Sequence, residues 1–209
     1  MKSYIREFSE RPQYLAERLH FERFHGSSSG PILEIGCSVG HHTQFGGDRK
    51  IGIDFDFEAL AIARKKGFTV AQSDVRKSLP FKDASFSSID CQHVIEHVED
   101  PLFLMKECRR VLRPGGRVVV VTPNVRAVGF EFYVDYTHIR PFTSTSLERI
   151  AYDAGFSRYD VRPAYTGVPM SKMLHARGLL SLEGALRAQT FFYHLGARVN
   201  ETLILVAES

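Results

Sequence analysis

Residues 31–43, Pro-Ile-Leu-Glu-Ile-Gly-Cys-Ser-Val-Gly-His-His-Thr, restrict this 209-residue chain more than any other stretch. Ile32, Leu33 and Ile35 make a short apolar run of the kind that forms a buried parallel strand. The run breaks at Gly36, and Gly40 follows one tight turn later. A glycine directly after a buried strand lets the backbone bend sharply and lets a ligand approach where a Cβ would collide. A dinucleotide site asks for G-x-G-x-x-G, whose middle glycine lies against the pyrophosphate. Here Ser38 and His41 occupy the second and third glycine positions, which weakens a nicotinamide-dependent oxidoreductase as a reading. The pattern Glu34-x-Gly36-x-x-x-Gly40 recurs by chance, so the residues beyond it decide.

Those residues alternate between strand and helix. Lys50 to Asp54 reads as a second strand ending in an acid, and Asp56 caps a helix that runs to Lys65-Lys66 and stops at Gly67. Phe68 to Ala71 and Ser85 to Gln92 read as the third and fourth strands, the latter made less apolar by Asp90. Asp100-Pro101 opens a helix whose apolar face carries Leu104, Cys108, Val111 and Leu112. Pro114-Gly115-Gly116 turns the chain into Val118 to Val121, the most strand-like run present. Strand and helix in alternation predict a parallel sheet with right-handed crossovers, so the fold class is α/β, doubly wound and Rossmann-like. Ligands of that architecture bind beyond the carboxyl ends of the strands. Further on, Thr145-x-x-Glu148 reads as a capping box opening a helix to about Ala154. Phe156 to Val161 and Thr202 to Ala207 read as two last strands.

The expected layout is one domain: a helical arm over 1–30, a cofactor core over 31–125, and an acceptor side over 126–209. In the arm, Pro12 starts or kinks a helix, and Tyr4 and Tyr14 suit a lid, although packing on the domain edge is the plainer role. A formal charge of +3 permits contact with anionic substrates or membrane surfaces but is no nucleic-acid footprint. Cys37, Cys91 and Cys108 have no metal-like spacing and read as buried thiols of a reduced, cytoplasmic protein. No apolar segment follows Lys2 and Arg6, so no signal peptide is expected, and no run reaches the length of a membrane span.

Three residues bear on a nucleoside. Asp54 lies about 20 residues beyond the glycine loop, where an acid accepts hydrogen bonds from ribose hydroxyls, and Asp56 is better placed as the helix cap. Asp74, after the third strand, is either a turn residue or the acceptor of an adenine amine, with the Val75 backbone at the ring edge. Phe55 suits either core packing or stacking on the adenine.

With these elements in order, residues 32–125 resemble the class I S-adenosylmethionine-dependent methyltransferases. The likeness is to the small-molecule enzymes grouped with ubiquinone and menaquinone biosynthesis, methyltransferase type 11. The blocks that carry it are Ile32-Leu33-Glu34-Ile35-Gly36, Gly52-Ile53-Asp54, Ser73-Asp74 and Leu79-Pro80-Phe81. They continue with His93-Val94-Ile95-Glu96-His97-Val98 and Arg110-Val111-Leu112-Arg113-Pro114-Gly115-Gly116, the two most specific. The resemblance implies a seven-stranded, mostly parallel sheet with an antiparallel last strand and S-adenosyl-L-methionine as cofactor. It places Glu34, Gly36, Gly40, Asp54, Asp74, Val75 and Gln92 along the cofactor site. One departure is Phe86-Ser87, where the family usually has Phe-Asp; the lost acid normally caps the strand, so binding should survive it.

His138-Ile139-Arg140-Pro141-Phe142 with Gly155-Phe156 resembles, more loosely, a subset acting on sugars or lipid-linked intermediates. Cys91-Gln92-His93-Val94 lacks the Asp/Asn-Pro-Pro-aromatic motif of nucleobase amino methylation, which argues against DNA. A sulfonium methyl is already electrophilic, so the protein has to align the acceptor and remove its proton. His138 and His93 are the candidate catalytic bases, with Asp135 to orient His138 and Tyr133 or Tyr136 against the sulfonium. His97 reads as structural. The expectation is methyl transfer to oxygen of a small, sugar or lipid-linked acceptor, with no metal. The rivals are a non-catalytic nucleoside-binding module and the oxidoreductase. Leu179, Leu180, Leu182 and Leu186 with Arg177 and Arg187 suit a helix that closes the core or, over residues 170–190, meets a membrane surface.

Overall fold

The computed structural model describes residues 20–164 and 202–209. The arm before residue 20, with Pro12 and the two tyrosines of the lid expectation, lies outside the described residues. So does the leucine-arginine segment at 170–190.

Seven strands form one sheet: β1 (Ile32–Ile35), β2 (Lys50–Asp54), β3 (Val70–Gln72), β4 (Phe86–Gln92), β5 (Leu112–Pro123), β6 (Arg158–Ala164) and β7 (Thr202–Glu208). Their order is β3-β2-β1-β4-β5-β7-β6. The first five run parallel, and β7 enters antiparallel to both β5 and β6. The order reverses between β1 and β4, which opens a crevice at their carboxyl ends, where this architecture binds ligands.

The helices are α1 (residues 20–25), α2 (Phe57–Lys65), α3 (Pro101–Val111), α4 (Val125–Val128) and α5 (Ser144–Asp153). Asp56 caps α2, its carboxylate accepting from the N–H groups of Glu58 and Ala59. Asp100 caps α3 by accepting from Phe103, with Pro101 in the first turn, where a missing N–H costs nothing. The predicted box at Thr145 and Glu148 is displaced. Thr143 is the cap, and its reciprocal partner is Ser146, whose hydroxyl accepts from the Thr143 N–H. A serine at the third helical position does what a glutamate usually does.

Other boundaries move for physical reasons. β5 starts six residues earlier than its valine run, because Leu112 already pairs with Phe86. Arg113 to Gly116 then bulge out before Arg117 rejoins the ladder opposite Ser88. β6 starts later than Phe156, whose ring is buried in the core.

One face of the sheet carries Leu33, Ile35, Ile53, Ile89, Cys91, Val118, Val120, Leu203 and Leu205 and packs under α3 and α5. The other face is partly polar. Side chains alternate along strands, so the register of β1 with β2 and β4 puts Glu34, Lys50 and Asp90 on that face together. Lys50 is 1% exposed. Its ammonium lies 3.0 Å from Asp90 and 3.4 Å from Glu34, and it also donates to the His42 carbonyl. The crossover from β1 to β2 contains only short 3-10 turns, Thr43–Phe45 and Gly47–Arg49. The Lys50 stem occupies that interior, with Gly46 packed against it and the Phe21 ring 5.1 Å from the ammonium. No helix among the described residues is long and apolar enough to cross a membrane.

Candidate cofactor and acceptor site

The glycine loop is built by backbone geometry. Gly36, Ser38 and Gly40 all have positive φ, at 76°, 46° and 84°. The N–H groups of Gly36 and Cys37 both donate to the Ile53 carbonyl, which bends the chain back across the end of β2. A Cβ on Gly36 would lie 2.4 Å from Val94 Cγ2, and one on Gly40 would lie 2.4 Å from the Phe68 ring. At both positions a side chain of the protein lies where a Cβ would stand.

Asp54 at the end of β2 holds the loop. One carboxylate oxygen accepts from the Ser38 N–H at 2.8 Å and the other from the Asp56 N–H at 2.9 Å. A carboxylate offers about four lone-pair sites, so each oxygen can still accept a hydroxyl. Phe55, beside it, is 73% exposed, with an open ring instead of a core one. An acid with acceptor capacity, an exposed aromatic and a tight loop at the strand ends fit a nucleoside-type cofactor. Asp74 is less free, since the Arg76 guanidinium grips both of its oxygens at 2.9 and 3.0 Å. Arg76 holds its carboxyl below the usual range. Val75 packs against the core cluster.

Glu34 faces inward. It is 4% exposed, accepts from the Thr43 hydroxyl at 2.6 Å, and pairs with Lys50. Burial raises its pKa from 4.5 to about 7, with Lys50 opposing and Asp90 adding to the rise. Gln92, at the end of β4, donates to Asp90 at 2.9 Å. Both residues join the polar cluster around Lys50 and Asp90.

The edge continues from β4 to β5 by direct contacts. Val94 abuts Gly36, and the His93 N–H donates to the Val121 carbonyl. His93 has φ of 53°, a conformation uncommon for a side-chain-bearing residue. Its Nδ1 lies 3.2 Å from the Glu96 carboxylate, which is fully buried and also takes the Thr122 hydroxyl at 2.9 Å. The N–H groups of Ile139 and Arg140 donate to the Glu96 carbonyl, tying the loop after β5 to the segment after β4.

His138 lands on this edge. Its Nδ1 is 2.7 Å from the Phe132 carbonyl, which can only accept, so Nδ1 carries a proton and donates it there. Asp135 is 3.9 Å from that Nε2, too far for a hydrogen bond, and its carboxylate is engaged by the Thr137 N–H and hydroxyl. His97 takes a similar position. Its Nδ1 is 3.1 Å from the Thr137 carbonyl, and its ring centroid is 4.8 Å from that of His138. Tyr133 and Tyr136 are exposed. A cavity of about 410 Å³ lies elsewhere, beside Arg23, Arg117 and Arg158, and none of the edge residues lines it.

Sequence reasoning overlooked Ser38, Lys50, Glu96 and Thr122. For Lys50 there was a signal in Asp90, since an acid inside a buried strand asks for a cation. Glu96 stood within a family-like block but had no partner until Thr122 and His93 were brought to it. Ser87, the departure from Phe-Asp, donates its hydroxyl to the Pro31 carbonyl at 3.0 Å and so still ties β4 to the entry of β1.

Comparison with known proteins bears on the whole arrangement. Residues 33–120 match the family described as a methyltransferase domain. A probable S-adenosylmethionine-dependent methyltransferase of Mycolicibacterium smegmatis is 30% identical over 158 residues, covering 71% of this chain. The match spans 60% of that relative's length, and about half of a second probable S-adenosylmethionine-dependent methyltransferase, from Mycobacterium tuberculosis, at 48%. In structure the chain is similar to a SAM-dependent methyltransferase from Archaeoglobus fulgidus. The TM-score is 0.70 at 20% identity, over 99% of this chain and 98% of that one. It is also similar to phosphoethanolamine N-methyltransferase 2 of Haemonchus contortus in complex with S-adenosyl-L-methionine. There the TM-score is 0.68 at 19% identity, over 98% of this chain and 59% of that one.

Proposed function

The chain belongs to the class I S-adenosylmethionine-dependent methyltransferases, and from that premise we propose that it methylates an oxygen of a small or lipid-linked acceptor bound beside the loop after β5. The cofactor supplies an electrophilic methyl on sulfonium sulfur. Asp54 accepts the ribose hydroxyls while anchoring the glycine loop through Ser38, and Phe55 covers one face of the adenine. Asp74 and Val75 lie at the adenine edge, with the Arg76 guanidinium as a competitor for Asp74. Glu34 and Gln92 hold the loop through the Lys50–Asp90 cluster.

On the acceptor side, Phe130, Val134, Tyr136 and Ile139 are exposed within ten residues of one another in sequence, which supports an acceptor with an apolar body. His138 takes the acceptor proton at Nε2, as its Nδ1–H is held by Phe132, and the nearby Asp135 charge favours the imidazolium that results. His93 is the alternative base, with its Nδ1 turned toward Glu96. Three buried free thiols suit a reducing, cytoplasmic compartment.

The single observation that carries the cofactor reading is Asp54, placed at a strand end with both oxygens tied to the loop and acceptor capacity left over. Calorimetry with S-adenosylmethionine, S-adenosylhomocysteine and NAD tests it. The first two should bind and NAD should not. Asp54→Ala should weaken S-adenosylhomocysteine about tenfold or more, from loss of hydrogen bonds to a charged acceptor. Unchanged affinity in that variant would remove Asp54 from the site.

A further inference from the structure

One donor atom from each of Glu96, His97 and His138 lies within 4.8 Å of the other two. The two imidazoles are in the same state. The Phe132 carbonyl fixes the proton of His138 on Nδ1. At His97, the Thr137 hydroxyl gives its own proton to Asp135 at 2.6 Å, so both Thr137 oxygens near Nδ1 act as acceptors. In both rings Nδ1 faces a backbone carbonyl, which leaves Nε2 as the nitrogen available to a ligand. That is how metal-binding histidines are held, the second ring nitrogen donating to a carbonyl and fixing tautomer and orientation.

The third donor is an anion in need of a cation. Glu96 is fully buried, and among the described residues its ion pair is with His93, which is charged only when protonated. A buried carboxylate is costly unless its charge is compensated. Thr122 orients it through one oxygen. The two loops that bring the donors together are already joined, by the Ile139 and Arg140 N–H groups on the Glu96 carbonyl.

We propose that Glu96, His97 and His138 bind a divalent transition-metal ion of the zinc, cobalt or nickel class at the acceptor edge. Two neutral imidazole nitrogens and one carboxylate suit such ions, whereas magnesium and calcium prefer all-oxygen sites. Two histidines and a glutamate leave a coordination position open to water or to an acceptor oxygen. Asp135 has an oxygen 3.9 Å from the His138 Nε2. The ion uses the His138 lone pair, so metal binding and proton removal by His138 exclude each other. The metal site rests on the loop geometry and is independent of the cofactor reading, while it competes with the base role of His138.

The test uses the full chain, freed of metal by chelation and titrated with Co²⁺ alone, followed by its visible absorption and by calorimetry. The expected result is one Co²⁺ per chain, displaced by Zn²⁺. His97→Asn and His138→Asn should each weaken binding at least as much as loss of a supporting residue does, about 10- to 100-fold. Circular dichroism shows whether the variants are folded, and S-adenosylhomocysteine calorimetry on them tests the cofactor separately. Absence of Co²⁺ binding in the wild-type chain overturns the proposal, as does unchanged binding in the folded double variant. If Co²⁺ binds as expected and S-adenosylhomocysteine does not, the metal site stands and the cofactor reading falls.

Discussion

At the scale of single residues, Gly36 and His138 carry different kinds of constraint. Gly36 has φ of 76° and faces Val94, so any side chain there meets both backbone strain and a collision. Strain in this region costs about 1 to 3 kcal/mol per residue. Gly36→Ala should therefore lower the thermal midpoint of the ligand-free protein, and Gly36→Val more so. A variant that keeps the wild-type midpoint while losing cofactor would return the glycine to a ligand-contact role. His138 is constrained by chemistry. His138→Ala should reduce turnover by about 10² to 10⁴, the usual worth of a general base, with S-adenosylhomocysteine affinity near wild type. His138→Asn can still donate to the Phe132 carbonyl, so recovery of turnover by asparagine would assign the side chain to anchoring the loop.

At the scale of elements, the helices are set by their first residues. Asp100 accepts from Phe103 and precedes Pro101, so α3 starts where its free N–H groups find a carboxylate and where a ring replaces one N–H. This start also ends the segment carrying His93, Glu96 and His97. Asp100→Ala should cost about 0.5 to 2 kcal/mol in urea denaturation. Cofactor affinity should change little, because Glu96 is held independently by Thr122 and by the loop after β5. A large loss of affinity would mean that the cap transmits to the loop. The α5 cap illustrates what a sequence pattern leaves open. Thr143-x-x-Ser146 and Thr145-x-x-Glu148 are both plausible openings within two residues of each other. The Phe142 ring is buried and pairs its backbone with Asn124 and Val125, which settles where the helix begins.

At the scale of the whole molecule, the polar face sets the pH response. One ammonium, Lys50, serves two acids. Burial acts against ionised Asp90, yet the Lys50 ammonium and the His25 ring 3.7 Å away hold it well below the ordinary range. Lys50 is disfavoured by burial, but the two acids raise it above its ordinary value. Glu34 is left as the group that protonates, with burial raising it to about 7. The folded protein thus binds this proton more tightly than the unfolded chain. Its contribution to stability is present below pH 4.5 and is lost as pH rises through about 7. Burial lowers His20 and His42 to about 4, so they act in the opposite sense and their contributions are lost as pH falls toward that value. The effect of Glu34 is isolated by comparing wild type with Glu34→Gln, whose amide stays neutral. Relative to wild type, the variant should gain about 3 kcal/mol between pH 4.5 and pH 8 in denaturant titrations. A constant difference across that range would show that Lys50 keeps Glu34 ionised.

The alternation of elements, the strand-end loop, the helix starts at Asp56 and Asp100, and the place of Asp54 after β2 were all legible in the sequence. Each depends on neighbours within a few residues, through apolar period, backbone conformation or a side chain reaching the next turn. The partners of Gly36 and Gly40, the burial of Lys50 between Glu34 and Asp90, and the meeting of Glu96, His97 and His138 were decided by tertiary structure. Those contacts join residues 16 to 58 positions apart, except within the Glu96–His97 pair, and depend on strand register and on which loops cross the carboxyl edge. The same reason explains why Glu34 could be named from its motif while its protonation could not: the motif is local, and the charges that set its pKa arrive from β2 and β4.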